Sequence, residues 1–330
     1  MNKVIKNIAF EGGGAKGIAH LGAMKALNEL KIFDDINHVA GTSAGAIAAC
    51  LFSVGYSYDD IYEILYPLDM ETLLEYPPSF IENPGFNDSI SKFIFEAFIN
   101  RDSAEHKYCM MILNALLYQN GICTGELFYN WLKEVISNSP VAKKSGLDGK
   151  ITFKQLAIHG GKDLHVFTSE TFKSQILECS ADTTPDLEVA LAVRASMSIP
   201  VYFEPVIIPG IADMETDGGM FNNLPITFMD AKGDGDQTLG ISLNPNKATG
   251  DGPTEFGFSS FFSEVKQLVN DVMNVQVARY QSDPLLNDRI AYIDTGDVGT
   301  FSFNMTQVQK DLCISNGYDS VMKFLIEPIN

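Results

Sequence analysis

Two glycine-framed loops lie close together near the N-terminus: Gly12-Gly13-Gly14-Ala15-Lys16-Gly17 and Gly41-Thr42-Ser43-Ala44-Gly45. The second has the G-x-S-x-G spacing of a nucleophile elbow. Such a turn pushes a serine hydroxyl out of the backbone and keeps its flanks small. The first presents successive backbone N–H groups at the start of a helix, an arrangement suited to holding negative charge. Far downstream, Asp217-Gly218-Gly219 offers a carboxylate on a tight turn, the base that a serine nucleophile requires. A nucleophile, an anion hole and a base are the parts of acyl transfer, so the chain reads first as a serine acyl hydrolase.

These groups need strands and helices to hold them. Val4 to Phe10 is a short apolar run ending at the glycines and reads as a buried strand. From Gly17 to Lys31, Ile18, Leu21, Met24, Ala26, Leu27 and Leu30 recur at helical spacing. His38-Val39-Ala40 reads as a second strand leading into the elbow, and Ala44 to Phe52 as a helix buried nearly all round. Strand, glycine loop and helix, repeated, point to an α/β domain with functional loops at the carboxyl ends of its strands. Residues 56–150 read as mainly helical, and Leu164–Ser169 with Gln175–Cys179 as a hairpin. Later elements are a helix over Leu187–Ala195, strands at Thr238–Leu243 and Ala291–Asp294, and helices over Phe261–Tyr280 and Tyr318–Leu325. Asn244 to Gly257 has linker composition. The apolar runs Ile90–Ile99 and Met110–Tyr118 read as core or cap helices, with a lipid-facing lid as the alternative.

Composition narrows the function. The chain has 330 residues, a formal net charge of −19 and an ordinary hydrophobic fraction of 45%. Nucleic-acid binding relies on Lys and Arg neutralising phosphates, so this balance argues against it, as it does against broad docking on anionic lipid. The five cysteines, Cys50, Cys109, Cys123, Cys179 and Cys313, form no C-x-x-C pair and fit reduced thiols rather than a disulfide framework or a zinc site. With no signal-peptide pattern and no apolar run long enough for a bilayer, the expected setting is cytoplasmic, with peripheral membrane contact. Export without a cleavable signal stays open.

Competing motifs fail on context. Gly12-x-Gly14-x-x-Gly17 also matches a dinucleotide fingerprint, but Asp34 and Asp35 follow a helix end rather than a second strand. No Gly-Lys-Ser/Thr closes a Walker loop. No cofactor and no metal are therefore expected. Of His20, His38, His106, His159 and His165, His159 beside Gly160-Gly161 is the best-placed triad histidine, yet Asp217 is the better base.

The three motifs, in this order and spacing, resemble the patatin-like phospholipase family, marked by G-G-G-x-[KR]-G, G-x-S-x-G and D-G-[GA]. Arg194 to Pro200 resembles the family's segment before the aspartate, and Phe221 to Pro225 the segment after it. Glu11 departs from the Asp that plant members carry before the glycines. The resemblance covers roughly residues 7–230. It implies an α/β fold of three α/β/α layers with a mostly parallel central sheet, related to the α/β-hydrolase architecture. The catalytic domain would be 7–230, with the helical insertion at about 56–150, and 231–330 would pack on the same domain. It further implies a Ser43–Asp217 dyad, an oxyanion hole from the amides of Gly12, Gly13 and Gly14, and supporting roles for Lys16, Gly17, Gly41, Gly45, Gly218 and Gly219. The expected activity is calcium-independent phospholipase A or lysophospholipase action on lipid esters at a membrane surface. A general esterase or lipase on neutral lipids and a partner-activated membrane-targeting or host-interaction protein are the alternatives.

Overall fold

The computed structural model describes residues 4–75, 120–170, 173–210, 212–244 and 258–326. In chain order the strands and α-helices begin with β1 (Asn7–Phe10), α1 (His20–Glu29), β2 (His38–Thr42), α2 (Ala44–Ser53) and α3 (Tyr58–Leu65). There follow β3 (Gly121–Cys123), α4 (Glu126–Ser137), α5 (Pro140–Ser145), α6 (Phe153–Ile158), β4 (Asp163–Glu170) and β5 (Gln175–Cys179). The remainder is α7 (Val189–Ser196), β6 (Val201–Phe203), β7 (Val206–Ile208), β8 (Ala212–Asp217), β9 (Thr238–Leu243), α8 (Phe258–Ser282), α9 (Pro284–Asn287), β10 (Ile290–Ile293) and α10 (Gln307–Ile326).

The main sheet runs β10-β9-β1-β2-β4 in parallel, then turns antiparallel through β8 and β7, with β5 also antiparallel to β4. The central strands are short and apolar because both faces are covered. Along β1, Ile8 and Phe10 enter one apolar cluster and Ala9 the other; along β2, Val39 and Ala40 divide in the same way. Period-two alternation therefore feeds two cores on opposite sides of one sheet, the α/β/α layering that the family resemblance implied. β3 and β6 form a separate parallel pair. Among the described residues no helix is long and apolar enough to cross a membrane.

Local sequence explains the helix starts. Ser57 and Asp60 close a reciprocal capping box at α3, and Thr152 and Gln155 do the same at α6. The expected hairpin forms: Val166 to Glu170 of β4 pairs antiparallel with Cys179 to Gln175 of β5. The last helix differs from expectation, beginning at Gln307 rather than Tyr318. The polar run before Tyr318 and the central Gly317 hide its helical period. Gly317 is there for packing, since a Cβ on it would lie 2.2 Å from the Ala19 carbonyl oxygen. The apolar runs Ile90–Ile99 and Met110–Tyr118 lie outside the described residues, as does nearly all of the linker-like segment.

The opposite helix makes the matching concession. A Cβ on Gly22 of α1 would sit 1.9 Å from the Ile314 carbonyl oxygen and 2.6 Å from the Tyr318 nitrogen of α10. The two backbones touch, so no side-chain shift can make room. Gly22→Ala is expected to lower the unfolding free energy by about 1–3 kcal/mol, the usual cost of overpacking. Urea denaturation followed by circular dichroism checks this; an unchanged midpoint would mean that the helices do not meet there.

Candidate active site

Ser43 sits where β2 ends and α2 begins, at φ 53° and ψ −122°. A non-glycine residue in such a conformation costs roughly 1–3 kcal/mol, so the surroundings must impose it. They do so through close backbone approaches. A Cβ on Gly41 would lie 2.2 Å from the Gly45 carbonyl oxygen, and one on Gly45 2.2 Å from that of Phe10. The turn is further held by Ser196, whose Oγ accepts from the Ser43 N–H at 2.8 Å and donates to the Phe167 carbonyl at 2.6 Å. Ser43 is left 2% exposed.

Asp217 arrives by a feature of strand register. Residues Asp163 to Phe167 of β4 pair with β2, and Thr168 to Glu170 pair with β8. β5 pairs with Val166 to Glu170, overlapping both sets, so β2 and β8 lie on the same edge of β4. One is parallel to β4 and the other antiparallel, so they run towards each other. Thr42 is opposite Phe167 and Asp217 opposite Thr168. The carboxyl ends of the two strands thus meet, bringing Ser43 and Asp217 together.

The Asp217 carboxyl is 1% exposed. Oδ1 accepts from the Gly219 N–H at 2.7 Å, whereas Oδ2 is buried with no hydrogen-bond partner. Burial raises the pKa to about 6; the nearby Ser43 hydroxyl and the Gly219 N–H oppose that shift and only partly offset it. Gly218 and Gly219 are confined too. A Cβ on Gly218 would lie 2.2 Å from the Phe167 carbonyl oxygen, and one on Gly219 2.6 Å from Asn223 Oδ1.

The glycine loop lies against the serine. A Cβ on Gly12 would be 3.0 Å from Ser43 Cβ, and one on Gly17 2.6 Å from Ala44 Cβ. The Gly12 N–H, expected to point at an oxyanion, donates instead to the Asn223 carbonyl at 3.0 Å. That corrects the sequence reading for Gly12. The amides of Gly13 and Gly14 have no acceptor among the described residues and remain available. Lys16 is 3% exposed, with Nζ donating to the Asn244 carbonyl at 3.1 Å. It balances Glu11, whose carboxylate accepts from Asn223 Nδ2 and Ser242 Oγ at 2.9 and 2.7 Å. Burial raises the Glu11 pKa and lowers that of Lys16, each partly offset by the other's charge.

Comparison with known proteins now decides the family. The model of the patatin-like phospholipase family matches residues 8–230. The chain belongs to the patatin-like phospholipases. It is 27% identical to the protein R571 of Acanthamoeba polyphaga mimivirus, covering 99% of this chain and 95% of that one. It is 24% identical to the Probable lipid hydrolase 463L of Invertebrate iridescent virus 6, covering 91% and 86% respectively. The crystal structure of VipD from Legionella pneumophila shares the fold, with a TM-score of 0.59, 23% identity, and coverage of 98% of this chain and 67% of that one. The patatin-like family and the viral relative support a lipid-hydrolase activity.

In this patatin-like chain no described histidine hydrogen-bonds to Ser43 or Asp217. His20 is buried with Nε2 2.9 Å from the Glu11 carbonyl oxygen, and its pKa is lowered to about 4. His159 is an exposed helix end. His38 and His165 lie at the amino ends of β2 and β4, the far side of the sheet. His106 lies outside the described residues. Sequence reasoning missed Ser196, Asn223 and Gln276. Gln276 Oε1 accepts from the Asn223 N–H at 2.8 Å, and its Nε2 donates to the Gly219 carbonyl at 2.7 Å. The segment Arg194 to Pro200 was recognised by resemblance, but its role only appears in three dimensions. Ser196 holds Ser43, and the Ser198 carbonyl accepts from the Asp217 N–H at 2.9 Å.

The raised Asp217 pKa has a thermodynamic consequence. A carboxyl whose folded pKa lies above its unfolded value favours folding below about pH 4 and loses that advantage as pH rises through about 6. At neutral pH the carboxylate therefore destabilises the fold. Asp217→Asn is expected to raise the unfolding free energy at pH 8 by up to roughly 3 kcal/mol, with the gain shrinking as pH falls towards 5. Thermal melts of both proteins across this range check the sign; a gain that grows on acidification would contradict the assignment.

Proposed function

We propose that the protein is a calcium-independent lipid acyl hydrolase of phospholipase A type, with Ser43 as nucleophile and Asp217 as general base. The observation that carries this reading is the meeting of the two strand ends, which sets an unpaired buried carboxylate oxygen beside a strained serine. The substrate is a glycerolipid carboxylic ester presented at a membrane surface. Residues 231–330 belong to the same catalytic unit, since β9 and β10 extend the sheet beside β1.

As Ser43 Oγ attacks the ester carbonyl, its proton passes to Asp217 Oδ2. The amides of Gly13 and Gly14 stabilise the oxyanion; a single donor of this kind is worth about 2.7–4 kcal/mol of barrier. Asp217 then returns the proton to the leaving alkoxide, releasing the lysolipid and leaving an acyl-serine. Water attacks that ester, giving its proton to Asp217, and the collapsing intermediate expels Ser43, which regains the proton as the fatty acid leaves. A pKa of about 6 suits this exchange better than an ordinary aspartate, because the base is ionised at pH 7 yet still basic enough to accept a proton. Glycine amides supply the electrophilic assistance, so calcium has no step to serve.

Hydrolysis of a fluorogenic phospholipid in vesicles tests the reading. Ser43→Ala and Asp217→Asn are each expected to lower kcat by more than about a thousand-fold. The wild-type rate should survive excess EGTA, and His159→Ala should keep it. Either dyad variant retaining a tenth of the rate would overturn the assignment. The acid limb of kcat/KM is expected to have a midpoint at about pH 6, rate rising with pH as Asp217 ionises. A limb near 4 would mean that burial does not raise the Asp217 carboxyl in the working enzyme.

A further inference from the structure

The opposite end of the sheet, at the amino ends of β2 and β4, holds a second constellation that the ester chemistry does not use. His38 on β2 and Asp163 on β4 are register partners, and Ala40 pairs with His165. Side chains alternate along a strand, so His38, Asp163 and His165 share one face. Both imidazoles converge on one carboxylate oxygen: His38 Nδ1 lies 2.8 Å and His165 Nε2 3.2 Å from Asp163 Oδ2. One ligand atom from each residue falls within 4.8 Å of the others.

The surroundings match what a bound cation demands. The other nitrogen of His165, Nδ1, lies 2.7 Å from Glu178 Oε1 on β5. A carboxylate there holds the proton on Nδ1, leaving Nε2 as the nitrogen that coordinates once it releases the hydrogen it gives to Asp163, the arrangement that orients metal-bound histidines. His165 is only 1% exposed, with its ring 5.0 Å from that of Phe228, so its direction is fixed. His38 and Asp163 are each 30% exposed, leaving an entry path and room for water ligands. Asp163 and Glu178 bring two carboxylates to the cluster, the charge that a divalent cation cancels. Lys232 feels both carboxylates but is held 3.1 Å from Asp182.

The geometry points to a divalent transition-metal site formed by His38 Nδ1, Asp163 and His165 Nε2, oriented by Glu178 and separate from the ester-hydrolysing centre. Two imidazoles and one carboxylate suit zinc and its neighbours better than calcium or magnesium, which prefer oxygen alone. Binding replaces the two hydrogen bonds on Asp163 Oδ2 with coordinate bonds, and any displaced protons pass to solvent. Water completes the coordination. The ion would staple β2 to β4 at the end remote from Ser43, so its effect is on stability rather than on the chemical step.

The test uses tag-free full-length protein, stripped with chelator and titrated with Zn²⁺ and Co²⁺ in excess Mg²⁺, which occupies non-specific acidic surface. One Zn²⁺ per chain by calorimetry, a rise in melting temperature, and a visible Co²⁺ d–d band are expected. His38→Ala and Asp163→Asn should each abolish the band and weaken Zn²⁺ binding by at least about 100-fold. Glu178→Gln, which touches no metal, should weaken it by about 10–100-fold. Melts in chelator confirm that each variant folds; if one does not, His38→Gln replaces it. Absence of stoichiometric binding, or binding unchanged in folded His38 and Asp163 variants, would overturn the site. His159→Ala should bind like wild type.

Discussion

The edge of β4 is the constraint on which the site depends. β2 occupies its first half in parallel and β8 its second half antiparallel, so two strand ends collide at Phe167 and Thr168. Neither strand can continue. β2 must turn sharply into α2, which produces the strained Ser43. β8 must turn at Gly218-Gly219, which leaves Asp217 capping a short 3-10 turn with one oxygen pinned and the other free. The reactive geometry is thus a product of strand pairing, and backbone hydrogen bonds position both residues to within a side chain's reach. A serine and an aspartate placed on mobile loops would have to bear that ordering cost themselves.

Two buried carboxylates, Glu11 and Asp217, show how the same desolvation is put to different ends. Both are raised by burial. Glu11 is surrounded by donors from Asn223, Ser242 and the Leu243 N–H, with Lys16 supplying opposite charge. Every hydrogen bond strengthens its attachment to the glycine loop, and it holds that loop against β9. Asp217 receives the Gly219 N–H and the influence of Ser43, but no cation. No cation opposes desolvation at Asp217, and its unpartnered Oδ2 keeps unused capacity to accept a proton. Asn223 links the two, donating to Glu11 and to the Gly12 carbonyl while its own carbonyl takes the Gly12 N–H.

Much of this was legible in the sequence because it is local. The apolar run before Gly12, the elbow between β2 and α2, the β4–β5 hairpin and the close-packed glycines all follow from spacing and steric need. What was hidden is non-local or masked by a competing role. The helix expected over Tyr318–Leu325 begins at Gln307, and Gly317 lies inside α10 because the Ala19 carbonyl oxygen passes too close for any side chain. Gly12 reads as an oxyanion donor, yet its N–H is used by Asn223, far away in sequence. His38 and His165 read only as separate candidate histidines, since nothing in the chain announces that parallel register places them on one face. Ser196 lies in the segment that resembles the family's, but its hold on Ser43 is invisible in one dimension, and Gln276 gave no signal beyond its residue type.

The two ends of the sheet also divide the energetic burden. Around Ser43 and Asp217 the fold holds a strained backbone and an under-solvated carboxylate, both unfavourable for stability. Such a site persists only if neighbouring interactions over-determine it. Ser196 holds the elbow, Ser198 holds the aspartate, and the buried Arg194 guanidinium ties that segment to the carbonyls of Thr124 and Glu204. At the opposite end the titratable groups are fully paired: Asp163 is depressed to about 2 by His165 and His38 despite the opposing effect of burial, and His165 is raised by both its carboxylate partners. Satisfied polar groups there lock the same β2–β4 pair whose other end is under strain. A strand anchored at its amino end transmits little slack to its carboxyl end, and on β2 that end is Ser43.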